Sequence, residues 1–203
     1  MLIASCPLIL IMPDVQEDSL QEQQPKENIT FRFAKQVLDK LRFEAEHQNV
    51  SLNTIAQRIV SEYYDWHANA ARAGMIPIHK SLLALLLDKI SDDETKKVAE
   101  FFADAKVKEI MLVLRSDYSV ASFLDMIESW LTVSSMLYGK EMKNNRYSYV
   151  IQHDLGTKWS LFLSTMIGHV FGKMGIERAN FELTENTIMF NVPVTSVSQE
   201  RSS

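Results

Sequence analysis

Along residues 29–33 apolar and polar side chains alternate strictly: Ile29, Phe31 and Phe33 are apolar, Thr30 and Arg32 polar. A period of two belongs to a strand with one buried face. From Val37 the period becomes helical, with Val37, Leu38, Leu41 and Ala45 on one stripe and Lys35, Asp39, Lys40, Arg42, Glu44 and Glu46 mostly off it. Asn49 tolerates the left-handed conformation that closes a helix, and Val50 can fold back on the helix it follows. Ser51 suits an N-cap, and Ile55, Ala56, Ile59, Val60 and Tyr63 form the stripe of a second helix. Residues 28–64 therefore read as one short strand and two helices.

Further along, residues 65–72 can prolong the second helix until Gly74 stops it, and Pro77 sits where another helix would open. A domain boundary is expected at 73–75. Residues 78–90 are apolar on nearly all sides, which predicts a buried helix too short to span a membrane. Ser91 and Glu94 have the spacing of a capping box, and Val98, Phe101, Phe102 and Ala105 continue a helical stripe. Residues 107–114 fit helix or strand, with their lysines and glutamate favouring helix, and a third helix is read over 119–131. Residues 133–140 and 146–153 pattern as a hairpin turning at Lys143-Asn144-Asn145. An amphipathic helix follows over 155–174, carried by Trp159, Phe162, Leu163, Met166, Ile167, Val170 and Phe171 and ended by Gly175. Two short strands, 181–184 and 187–192, flank a Glu185-Asn186 turn. The expected fold class is α+β: an N-terminal unit over 26–74, then a helical segment and a two-layer domain with a four-stranded antiparallel sheet over 75–193. The serine-rich residues 194–203 read as a disordered tail.

Composition narrows the class without naming a function. The hydrophobic content, 46%, is ordinary for a globular chain of 203 residues. Net charge is −5, and residues 26–67 balance six basic against six acidic side chains, so a strong nonspecific attraction to phosphate is not expected. Residues 1–25 hold Asp14, Glu17, Asp18 and Glu22 and no base. Their first dozen residues are apolar but lack a basic flank and are too short for a bilayer span. They read less well as a signal peptide than as sequence ahead of a start at Met12, followed by a flexible polar arm. Cys6 is the only cysteine, so no internal disulfide can form, and a cytoplasmic location is the default expectation.

The unit over 28–64 cannot stand alone, because a lone strand leaves both edges unpaired and two short helices bury little surface. A second copy supplies the missing partner: two strands pair antiparallel and four helices close over their apolar face. In strand alternation, helix lengths and the apolar-Ser turn at Val50-Ser51, the stretch closely resembles the ribbon-helix-helix DNA-binding fold of the Arc, MetJ and CopG type. The resemblance implies that Asn28, Thr30 and Arg32, opposite the apolar face, lie in the major groove and read base edges. Their chemistry suits it, since Arg binds guanine bidentately, Asn binds adenine, and Thr can donate to a base or touch a thymine methyl. It further implies that Ser51, Asn53 and Thr54 at the second helix's start grip phosphate, where free N–H groups and the helix dipole favour an anion. Lys35, Lys40 and Arg58 are further phosphate candidates, though such charges are ordinarily solvated surface.

In the C-terminal part, residues 152–160 form a dense polar-aromatic cluster at a strand-to-helix junction, where His153 and Trp159 could face a ligand. The structural alternative, which the residue types favour, has Asp154 capping the helix, Gly156 relaxing its first turn and Trp159 in the core. The five histidines show no metal-ligand spacing, and no catalytic triad or glycine-rich phosphate loop is present, so no enzyme, metal or cofactor is expected. The expected function is a homodimeric or tetrameric sequence-specific regulator of transcription, bound to double-stranded DNA and not to membrane, with a C-terminal domain that senses a small molecule or builds higher oligomers. The alternative is an antitoxin-like or scaffold protein that uses the same fold only to dimerise.

Overall fold

A computed structural model describes Glu27, residues 29–176 and residues 179–193. Asn28, the arm over 1–25 and the tail over 194–203 lie outside the described residues. Residues 29–34 form no strand in the single chain, in contrast to the alternating pattern. A ladder needs a partner, and among the described residues no other segment pairs with this one. The rings of Phe31 and Phe33 nevertheless lie side by side, centroids 6.0 Å apart.

Helices α1 (Lys35–His47) and α2 (Leu52–Glu62) follow where the helical periods place them. Asn49 takes φ +53° and the Val50 N–H donates to the Ala45 carbonyl at 3.0 Å, closing α1. Ser51 caps α2, its Oγ accepting from the Thr54 N–H at 3.0 Å. Between these helices only Ala45 and Ile55 are buried. The α2 helix runs on through a π-helical turn (Tyr63–His67) into a short α3 (Ala68–Ala70), after which Gly74 at φ +78° breaks the path. Trp66 is buried in the main core, with Ala70, Ala73 and Met75 packed against it. Core packing is therefore present on both sides of the boundary expected at 73–75. Arg115 secures the same turn, donating to the Asp65 carbonyl at 2.9 Å while it pairs with Asp125.

The helix expected over 78–90 is shorter, α4 (Lys80–Leu87), and it is not buried throughout: Leu82, Leu85 and Leu86 are exposed and only Leu87 is enclosed. The apolar run covers more of the helix surface than its neighbours can. Helix α5 (Asp92–Phe102) opens with the full capping box between Ser91 and Glu94, and passes through a second π-helical turn (Ala103–Val107) into α6 (Lys108–Arg115). Residues 107–114 are thus helical. Ser119 caps α7 (Val120–Val133). The first strand begins later than the alternation suggests, because Val133 still belongs to α7 and Ser135, at φ +51°, makes the turn.

Strands β1 (Leu137–Lys143), β2 (Arg146–Gln152), β3 (Phe181–Leu183) and β4 (Thr187–Pro193) form one antiparallel sheet in the order β1-β2-β4-β3. Asn144 and Asn145, both at positive φ, turn the first hairpin. The register puts Tyr149 opposite Phe190 and Ile151 opposite Ile188 on the inner face. Helix α8 (Thr157–Lys173) crosses that face. An aromatic series joins the layers: Tyr149 stacks on Phe190 at 5.0 Å, Phe190 meets Phe171 of α8 edge-on at 5.9 Å, and Phe171 meets Phe123 of α7 at 5.7 Å. Gly168 lets β3 come close, since a Cβ there would sit 3.3 Å from the Phe181 ring. The result is the expected α+β body with its four-stranded antiparallel sheet.

Candidate functional site

Between the π-helical turn at 63–67, helices α7 and α8, and the stretch connecting Gly74 to α4 lies a cavity of about 760 Å³. Its size falls in the range that holds small organic ligands. Helical spacing builds one wall. Trp159 and Phe162, three apart on α8, stack at 5.1 Å with planes 9° apart. Trp130 of α7 stands 6.1 Å from Trp159, and Phe102 at the end of α5 stands 6.4 Å from Phe162. Trp66 completes the set, so all three tryptophans of the chain line this space.

Polar groups are few. His67, Lys80 and Ser134 line the cavity, and among the described residues no Asp or Glu does. Lys80 Nζ reaches Asp154 at 3.1 Å, which holds the Asp154 carboxyl below the usual carboxylate range. Asp154 therefore does not cap α8. Gly156 occupies that position with φ +79° and ψ 175°, a conformation open essentially to glycine, and no side chain caps the helix. Each of the three lining tryptophans also carries an indole N–H. Trp159 is 8% exposed, and its Nε1 is buried without a hydrogen-bond partner among the described residues.

His153 stands apart from the cavity and is 4% exposed. Its Nδ1 accepts from the Leu155 N–H at 3.3 Å, which leaves Nε2 to carry the proton toward Ser160 Oγ at 2.9 Å. Ser160 in turn donates to the Thr184 carbonyl at 2.8 Å. Burial pushes the imidazole's proton affinity below its ordinary value, with the Lys80 cation adding to the effect and Asp154 opposing it. Both ring nitrogens are thus committed to holding β2, α8 and the β3–β4 turn together. Of the two candidates for ligand contact, the fold brings Trp159 to the cavity and gives His153 a structural post.

At the other end of the chain, Thr30, Arg32, Lys35 and Lys40 are exposed. Lys35 pairs with Asp39 at 2.9 Å, and Arg58 donates to Gln48 at 2.5 Å. Ser51 and Thr54 exchange a hydroxyl bond at 2.7 Å at the start of α2, with Asn53 exposed beside them. Alongside these polar groups runs an uncovered apolar face: Ile29, Phe31, Phe33 and Val37 are exposed, Phe31 by 57%, as are Ile59 and Val60.

Trp66, Trp130 and Lys80 did not stand out in the sequence as site residues. Each lies on a separate helix with an ordinary helical pattern, and only their convergence marks them. Among the described residues no group of acidic, histidine or cysteine side chains is placed to hold a metal, and no helix is long and apolar enough to cross a membrane. Comparison of the chain with protein-family models, with curated proteins and with solved structures finds no match.

Proposed function

We propose that the chain is a sequence-specific DNA-binding regulator that works as a homodimer, its residues 28–33 pairing with those of a second copy as a ribbon in the major groove. One observation carries the reading. An alternating segment whose apolar members, Ile29, Phe31 and Phe33, find no cover among the described residues leads directly into two short helices, the second capped by Ser51. A second copy of the same segment would pair the strand edges and cover that face together. The polar members Thr30 and Arg32 would then point outward, with groups able to read bases. The α+β body after α3 would carry regulation.

The balanced charge of residues 26–67 and the internal pairing of Lys35 with Asp39 support a second reading, in which the same unit only dimerises. Fluorescence anisotropy against randomised and selected duplexes separates the two. Under the first reading, Arg32→Ala keeps the fold, loses about 1–3 kcal/mol per bidentate contact and relaxes preference at one position of each half-site. A parent protein that prefers no duplex, with Arg32→Ala indistinguishable from it, leaves the dimerisation reading standing.

A further inference from the structure

We propose that the stretch from Ile76 through α4 is a second contact between copies of this chain, in which Leu82, Leu85 and Leu86 of one copy pack against the same residues of the other. The three leucines share one side of α4 and are exposed, Leu85 by 60%. On the other side Leu83, Ala84 and Leu87 pack on the core of the body. A helix that is apolar all round belongs between two partners, and the body supplies only one. Ile76 and Ile78, just ahead of the helix, are exposed as well and lengthen the patch.

Charge selects a second copy as the occupant. Between Ser81 and Leu87 the helix has no charged residue, and Lys80 ahead of them is drawn to Asp154 at 3.1 Å. A face with a net charge repels itself across a twofold axis, whereas this one meets its copy without like charges, and a strongly charged partner would find no complement on it. Position points the same way. Most of the large apolar side chains left exposed among the described residues lie between Ile29 and Leu86, so the patch continues along the chain the surface that the N-terminal unit leaves uncovered. The contact rests on the homodimeric part of the reading above and on nothing about DNA. Pairing of residues 28–33 would hold both bodies to one twofold axis, and α4 begins ten positions after α3 ends, so the second α4 would stand at high effective concentration. A helix of eight residues, about 12 Å long, presents less than the about 800 Å² that each partner of a stable interface contributes; the contact therefore reinforces the ribbon and does not replace it.

The test uses the full chain with Cys6→Ser, which removes its only cysteine, and single cysteines at Leu82, Leu85 or Leu86. A twofold axis through a self-paired face brings at least one of these positions close to its own copy. At that position bismaleimidoethane should give covalent dimers at a rate unchanged by dilution and at least tenfold above that of Val150→Cys, whose site on the outer face of the sheet is 43% exposed. Leu85→Glu, at an exposed position that leaves the fold intact, should raise the dimer dissociation constant in sedimentation at least tenfold. Cross-linking at the control rate at all three positions, in a protein that sediments as a dimer, overturns the contact and leaves the homodimer standing. Thiols there that resist a monofunctional maleimide too are covered by another segment, residues 1–25 among the candidates, which also overturns it. A parent protein that sediments as a monomer removes the homodimer and the contact together.

Discussion

At the scale of single residues, His153 shows how a chemically active side chain becomes a strut. Its two nitrogens and the Ser160 hydroxyl bridge the end of β2, the start of α8 and the β3–β4 turn, and burial disfavours the charged ring. The consequence for stability has a definite sign. An exposed imidazole takes up a proton near pH 6.5, whereas the buried one does so only at lower pH. Below that value the unfolded chain binds more protons than the folded one, so stability is complete above about pH 6.5 and declines as pH falls toward the folded-state value. Thermal unfolding followed from pH 7.5 to pH 5 should show a falling midpoint. His153→Gln, which cannot take up the proton, should flatten that slope; parallel curves for the two proteins would refute the assignment. The cluster at 152–160 was visible in the sequence, and so was its structural reading. The cap was misplaced because Asp154 is drawn to Lys80, seventy-four positions earlier, rather than to its own helix.

At the scale of elements, local chemistry settled most boundaries. Ser51, Ser91 and Ser119 cap the helices they precede, Asn49 ends α1 and Asn144-Asn145 turns the first hairpin, each through bonds within a few residues. The segment 29–33 behaves differently. Its alternation is that of a strand, yet among the described residues it has no ladder and its apolar side chains stay exposed. A dimer of the full chain is therefore expected by sedimentation even at high dilution. Phe31→Asp should dissociate it, because two copies would place carboxylates inside one apolar face. A monomeric parent, or a variant as dimeric as the parent, would remove the ribbon.

At the scale of the whole molecule, the helical run from α2 to α3 ties the N-terminal unit to the α+β body through Trp66. Its ring is 6% exposed and also faces the cavity, so truncation removes packing on one side only. Trp66→Ala should cost about 3 kcal/mol, the lower end for a buried aromatic. Urea unfolding of residues 63–193 beside residues 75–193 should show the same deficit in the shorter piece. Equal stability of the two would place the boundary at Gly74 after all.

What the sequence by itself determined are the features with a local cause: the α+β order of elements, most helix caps, the hairpin turns and the pairing of strands across each turn. Periodicity and turn chemistry act within a few residues, so one chain read in order carries them. Only the tertiary structure decided which apolar surface stays uncovered and where the tryptophans meet. The leucines of α4 look buried in any local window, and their exposure depends on how far the neighbouring helices reach. Trp66, Trp130 and Trp159 are far apart in the chain and enclose one cavity because α2's extension, α7 and α8 pack around it. That convergence is a property of packing over long separations, to which a pattern of period 2 or 3.6 is blind.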